Sequence, residues 1–145
     1  MRAVVQRVSE ASVTVGDKVI GKIGVGLMVL VGVHRDDTGQ DATQLADRLN
    51  GMRIFPDDAG KMNLSIRQVE GSILAIPNFT LYGDVSQRRP SFGKSASFEE
   101  GNALFEKVVS ELRNLGVPVE IGEFGAHMHV SLLNDGPVTL LVDTR

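Results

Sequence analysis

Few residues in this chain are equipped for covalent chemistry. Cysteine is absent, which removes thiolate nucleophiles, disulfides and Cys-based zinc sites, and suits a reducing cytosol. The remaining nucleophile candidates are Ser, Thr, Asp and Glu, and the only imidazoles are His34, His127 and His129. No Gly-x-Ser-x-Gly elbow occurs, so the α/β-hydrolase pattern fits poorly. Gly24-Val25-Gly26 lacks both a third glycine and a Lys-Ser/Thr ending, and reads as a turn beside a strand. His127 and His129 would share one face of a strand. No third ligand stands at a recognisable spacing, since Glu123 and Asp135 sit near turns, so ordinary sheet residues and no metal site are expected. His34 follows a buried-looking strand and reads as a surface or turn residue.

Three segments carry more information. In Ile76-Pro77-Asn78-Phe79-Thr80-Leu81-Tyr82-Gly83-Asp84 an apolar strand runs into Pro-Asn and then presents one hydroxyl among bulky residues. Proline beside a short polar cluster tends to leave backbone N–H groups unpaired, and such groups can receive a developing oxyanion. The plain alternative is a strand opening on proline, with Thr80 packed on its methyl. In Asn134-Asp135-Gly136-Pro137-Val138-Thr139, a Gly-Pro corner can aim carbonyl oxygens at the amino group of a ligand. The alternative there is a tight hairpin turn. Ser86-Gln87-Arg88-Arg89-Pro90-Ser91-Phe92 gathers two guanidinium groups suited to phosphate oxygens, or is a solvated basic loop.

The elements that must position these segments are legible from periodicity. Val4, Val5 and Val8, then Val13 and Val15, then Val19, Ile20 and Ile23 form strand-like runs, with Gly16-Asp17 as a hairpin turn. The continuous apolar run from Leu27 to Val33 reads as a central buried strand. Thr38 caps a helix with Asp41 in its first turn and Ala42, Leu45, Ala46, Leu49 and Met52 at helical spacing, ending at Asn50-Gly51. Arg53-Ile54-Phe55 leaves that helix and 56–60 is a loop; Ile73 to Ile76 is a short strand. Ser97 and Glu100 form a capping box for a second helix, with Phe98, Leu104, Phe105, Val108, Val109, Leu112 and Leu115 on its apolar face and Gly116 as its stop. Val117 to Ile121 and His129 to Leu133 are strands, Asp135-Gly136-Pro137 turns the chain, and Val138 to Val142 is the last strand. Two helices among roughly eight strands make a sheet-dominated α/β or α+β fold.

The 145 residues show no linker, repeat or low-complexity tract, so a single domain over 1–145 is expected. With 42% hydrophobic residues the chain can bury a sizeable core. No stretch of ~18 apolar residues and no signal-peptide pattern is present, so no membrane partner and a cytoplasmic location are expected. A formal net charge of -3 argues against coating nucleic acid by charge alone. With no tryptophan and one tyrosine, a general single-strand binder is also disfavoured, so any RNA contact should be local.

In order along the chain, Met1 to Val8, Arg53-Ile54-Phe55, Gly60-Lys61-Met62-Asn63, Phe79-Thr80-Leu81-Tyr82, Arg89-Pro90-Ser91-Phe92, Phe124-Gly125-Ala126 and Asn134 to Thr139 together resemble the D-aminoacyl-tRNA deacylases, also called D-tyrosyl-tRNA deacylases. The likeness covers essentially the whole chain. It implies that family's fold, with mixed or antiparallel barrel-like sheets and two main helices. It implies a homodimer with active sites at the subunit interface, acting on the acceptor end of aminoacyl-tRNA without a cofactor. The implied reaction is hydrolysis of the D-aminoacyl ester, and of glycine mischarged on tRNA, as proofreading and quality control of translation.

Carried onto this chain, the resemblance places a cis Gly136-Pro137 in the partner's pocket, where its carbonyls hold the α-amino group so that an L side chain would clash. Asn134, Val138 and Thr139 support that chiral selection, with Pro77 and Leu81 in the pocket. Thr80, Phe79 and Asn78 are the implied catalytic residues. Thr80 serves either as nucleophile or as pocket hydroxyl beside a water activated by the terminal ribose 2′-hydroxyl. The second picture is favoured, because no base for Thr80 is evident in these motifs. Arg7, Arg53, Lys61, Arg88 and Arg89 are the expected tRNA contacts, and Arg7 has the alternative role of lining the pocket and anchoring the partner's Gly-Pro segment. One departure stands out: Pro77-Asn78 replaces the family's usual Ser-Gln. A related group of tRNA deacylases also has proline there and relaxed chiral selectivity. Relaxed chirality, or a nucleic-acid-binding module without turnover, are the alternatives that follow from it.

Overall fold

β-Branched residues dominate the first third of the chain, and they extend it into a single long strand, β1 (Arg2–Val15). The computed structural model describes residues 1–145. Gly16, at φ 62°, turns the chain into β2 (Lys18–Ile23), and β3 (Gly26–Gly32) follows as the expected buried strand. Then come α1 (Gly39–Gly51), a small hairpin of β4 (Phe55–Pro56) and β5 (Met62–Leu64), and β6 (Ser72–Pro77). A 3-10 turn, Phe79–Tyr82, leads through a long loop to α2 (Phe98–Asn114), β7 (Val119–Ile121) and β8 (His129–Asp143).

The main sheet runs β2-β1-β3-β6-β7, with β8 paired to the other side of β1. β1 is antiparallel to β2, β3 and β8, whereas β3–β6 and β6–β7 are parallel, so the sheet is mixed. Its ends curl together: a methyl placed on Gly21 of β2 would stand 3.2 Å from the Ile121 carbonyl of β7. The result is a nearly closed barrel carrying two helices.

Two apolar clusters occupy the two faces of the sheet. The larger lies under the helices and joins Ala3, Val5, Leu27 and Val29 to Leu45, Leu49, Phe105 and Leu112. The smaller fills the barrel with Val8, Ala11, Val13, Ile23, Met28, Leu74 and Ile76. Strict alternation would put Val8 and Ala11 on opposite faces. A register shift between Val8 and Glu10 inserts one extra residue into β1 and brings Ala11 and Val13 round to the face of Val8.

Both helices begin as their sequences dictate. The Asp41 carboxylate accepts the Thr38 backbone N–H at 2.9 Å, and Ser97 Oγ accepts the Glu100 N–H at 3.3 Å. Gly116, at φ 90°, ends α2. Phe98 departs from the expected apolar face: it is 62% exposed and meets Phe124 edge-on, because it stands in the first turn, beyond the core.

The chain start is part of the fold. The Met1 ammonium pairs with Asp37 at 2.9 Å, both fully buried, and Arg145 reaches the same carboxylate at 3.0 Å. No helix is long and apolar enough to cross a membrane.

Candidate functional site

Proline lacks an N–H and cannot continue a sheet ladder, so Pro77 ends β6. Asn78 makes one more bond, donating its N–H to Val31 O at 2.8 Å, and the chain then winds into the 3-10 turn. A turn here, not the continued strand of the plain reading, is what exposes Phe79 and Thr80. The first N–H groups of such a turn have no partner within it, and no side chain caps them. The turn is clamped from outside. Arg2 donates to Leu81 O at 3.2 Å and lies 4.9 Å above the Tyr82 ring, and Ser95 Oγ donates to Phe79 O at 2.9 Å.

Pro77, Asn78 and Phe79 line a cavity of about 280 Å³. Leu30 and Ile76 form its floor, and Gly125, Ala126, His127 and Met128 the facing wall. These two segments lie far apart in sequence and meet because β6 and β7 are parallel neighbours. Thr80 sits beside the cavity, its hydroxyl donating to Asn78 Oδ1 at 2.6 Å. An amide oxygen cannot take up that proton as a base would, so the hydroxyl is oriented but not activated. Leu81, expected in the pocket, does not line this cavity; it is half-buried, and its Cβ would stand 2.9 Å from a methyl on Gly32.

Asp135-Gly136-Pro137 was expected to reverse the chain, and it does not. Asn134 and Thr139 both pair with β1, opposite Val8 and Gln6 respectively. Between them β1 carries one residue, Arg7, whereas β8 carries four, Asp135 to Val138. The excess is pushed out as an exposed excursion whose Gly136–Pro137 peptide is cis. Gly136 has φ 140°, and a Cβ there would meet Val138 Cγ2 at 2.8 Å, so only glycine fits.

The excursion is stitched down at its base. Asn134 Oδ1 accepts the Val138 N–H at 3.1 Å, and Asn134 Nδ2 donates to Thr139 Oγ1 at 3.0 Å. Arg7 donates from Nη1 to Ile54 O at 2.8 Å and from Nε to Asp135 O at 3.0 Å. Val138 is buried in the helix-side core. None of residues 134 to 139 lines the cavity beside Asn78 in the same chain.

The expected tRNA contacts are dispersed. Arg53 lines a wider polar groove of about 760 Å³ with Asn50, Asn63, Arg67 and Gln68, and its guanidinium is held by the Asn63 carbonyl and amide oxygens. That groove has one hydrophobic wall residue, Leu64, which suits it poorly to an amino-acid side chain. Lys61 follows a turn knitted by Asp57, whose carboxylate accepts the Lys61 and Ala59 N–H groups and is thereby held below its usual pKa. Arg88 and Arg89 project from the loop between Asp84 and Ser91.

His127 is the residue whose position the sequence conveyed least. It precedes β8 and lies in the cavity wall, with its ring 5.2 Å from that of His129. The nearby Phe124-Gly125-Ala126 motif was the available signal. No group of three or more His, Asp or Glu side chains is placed to hold a metal ion. His34 is less exposed than expected, with 13% of its side chain accessible, because it packs edge-on against Tyr82. Burial, with help from the Asp37 charge, pushes the Tyr82 phenol up to about 12.

The family model described as D-Tyr-tRNA(Tyr) deacylase matches residues 4–143. A D-aminoacyl-tRNA deacylase of Thermotoga petrophila is 54% identical over 145 residues, covering 99% of this chain and 97% of the relative. One of Geobacter sulfurreducens is 53% identical over 146 residues, covering 100% and 96%. Among solved structures, one titled c-Myc DNA Unwinding Element Binding Protein superposes with a TM-score of 0.95 at 34% identity, covering 100% of this chain and 99% of that one. Another, a probable eukaryotic D-amino acid tRNA deacylase, has a TM-score of 0.84 at 21% identity and 97% coverage of both chains, a likeness of fold.

Proposed function

Because the chain belongs to the D-aminoacyl-tRNA deacylase family and so is an ester hydrolase acting on D-aminoacyl-tRNA, we propose that it selects its substrates by handedness, with two copies of the chain completing each site. The excursion at Gly136–Pro137 from one copy enters the cavity lined by Pro77, Asn78 and Phe79 of the other. One observation carries this reading: the excursion is anchored and exposed, yet lines no part of that cavity in its own chain.

Main-chain carbonyls of the excursion hold the substrate α-amino group, and an L side chain is then driven into the wall. A filter made of backbone accepts many D side chains, and glycine with them, because it reads the geometry at the α-carbon and not the side chain. Asn134, Val138 and Thr139 fix the excursion. Water attacks the ester carbonyl carbon, the bond to the ribose oxygen breaks, and amino acid and tRNA are released. The ribose 2′-hydroxyl assists the water, and the first backbone N–H groups of the 3-10 turn receive the developing oxyanion. Thr80 and Asn78, bonded to each other, orient the site. Arg53, Lys61, Arg88 and Arg89 contact tRNA, and Arg7 acts chiefly as the anchor of the excursion.

The test is the release of D-tyrosine, L-tyrosine and glycine from their tRNA esters. Release of the D form and glycine without the L form is expected. Comparable release of L-tyrosine would contradict selection by handedness and favour the relaxed chirality that Pro77-Asn78 suggests. Binding without turnover would contradict the mechanism.

A further inference from the structure

Phe79, which lines the cavity, and Phe92 next to it carry rings to which the chemistry above gives no step. Phe79 and Phe92 are 54% and 38% exposed, and their rings meet edge-on with centroids 5.1 Å apart. Phe79 also forms the cavity rim, so the aromatic pair is continuous with the place where the ester lies. The Phe92 ring packs over Gly83, where a Cβ would stand 2.9 Å from its Cε1.

The loop that delivers Phe92 is built as firmly. Asp84 and Ser91 exchange two backbone hydrogen bonds, at 2.8 and 3.0 Å, and the Asp84 carboxylate accepts the Ser86 N–H at 2.9 Å. Arg88 and Arg89 stand on this closed loop, exposed and without an acidic partner. With a net charge of -3 the chain as a whole repels RNA, so a pair of free guanidinium groups marks a local attraction. Exposed rings next to unpaired arginines suit a base whose face is open, and not a stacked duplex whose faces are covered.

Resting on the deacylase reading, we propose that Phe79 and Phe92 form a stacking platform for the unpaired nucleotides preceding the terminal adenosine of the tRNA, with Arg88 and Arg89 on their phosphates. The platform makes the enzyme read a polynucleotide end, and not merely an esterified adenosine.

The experiment compares D-tyrosyl-tRNA with D-tyrosyl-adenosine, which has no preceding nucleotide, for the wild type, Phe92→Ala and Phe92→Tyr. In Phe92→Ala the ratio of kcat/KM for the tRNA ester to that for the adenosine ester is expected to fall about tenfold, mainly through KM, and Phe92→Tyr to restore it. An acceptor-end RNA with 2-aminopurine next to the terminal adenosine should be quenched on binding the wild type and not Phe92→Ala. Equal losses on both esters, an unchanged ratio, or a changed oligomeric state in Phe92→Ala would overturn the platform; the last would make the pair a contact between chains. If the wild type failed to hydrolyse D-tyrosyl-tRNA, the deacylase reading would fall, while the quench would still judge the platform.

Discussion

Replacing Arg7 with alanine removes the one side chain that ties the excursion to the rest of the molecule through a charge. Its guanidinium donates to Ile54 O and Asp135 O, and its side chain is only 11% exposed. Hydrogen bonds from a charged group contribute roughly 1.5–3 kcal/mol each when buried. The Asp135 bond is exposed, and water replaces much of it in the variant, so the net loss is set mainly by the Ile54 bond, at about 2 kcal/mol. For a domain of this size that corresponds to about 6 °C in Tm. The catalytic loss is larger, because a displacement of about 1 Å at a positioning group can cost on the order of a hundredfold. Arg7→Ala is therefore expected to lower kcat/KM for D-tyrosyl-tRNA by roughly ten- to a hundredfold. Arg7→Lys should recover little, since an ammonium lacks the planar fork that serves two carbonyls at once. Steady-state hydrolysis of D-tyrosyl-tRNA and D-tyrosyl-adenosine, with thermal unfolding alongside, separates the possible roles. An anchoring role requires equal losses on both substrates. A loss confined to tRNA, with a shallower salt dependence, would show Arg7 to be a phosphate contact; wild-type rates in a folded Arg7→Ala would refute the anchoring argument outright.

Other outcomes follow from the same geometry. Thr80→Ala should keep deacylation within about tenfold of wild type, whereas a nucleophile's removal would cost on the order of 10⁴ or more in kcat in single-turnover measurements. Replacing both Arg88 and Arg89 with alanine should reduce the slope of log kcat/KM against log salt by ~1.4, as two lost phosphate contacts on a single strand require. Tyr82 is the only tyrosine and tryptophan is absent, so ultraviolet titration reads it alone and should show half-ionisation at about 12. Its raised value means that the stability it confers is complete below the unfolded phenol's pKa, ~10, and is lost as pH rises from there through the folded one. At Asp41 burial raises the pKa, but hydrogen bonds from Thr144 and Thr38 and the Met1 ammonium outweigh it and leave the value lowered. The stability gap between wild type and Asp41→Asn should accordingly be full above pH ~4 and close as pH falls below it.

What the sequence conveyed divides by the range of the forces involved. Helix α2 was legible almost to the residue, because Ser97, the apolar spacing and Gly116 act locally. The central strand from Leu27 was legible because burial on both faces leaves an unbroken apolar run. β1 looked like several short strands because Ser9 and Glu10 interrupt its alternation; the bulge that reconciles them depends on the register with β8, a partner more than a hundred residues away. Asp135-Gly136-Pro137 has the composition of a turn, yet both flanks pair with the same strand, so the chain steps out and returns. His127 read as a strand residue beside His129, and the structure stops β8 short of it. The motif residues of the candidate site were all visible as types. Residue types alone did not divide them into a cavity and a separate excursion, which strand pairing sets; only the family resemblance carried that division.

The most direct measurement is the rate of tyrosine release from D-tyrosyl-tRNA and L-tyrosyl-tRNA, with glycyl-tRNA as the substrate that lacks a side chain. Rapid release of the D form and of glycine, with the L ester decaying no faster than without enzyme, is the expected result. Release of the D and L forms at similar rates would contradict selection by the main chain at Gly136–Pro137.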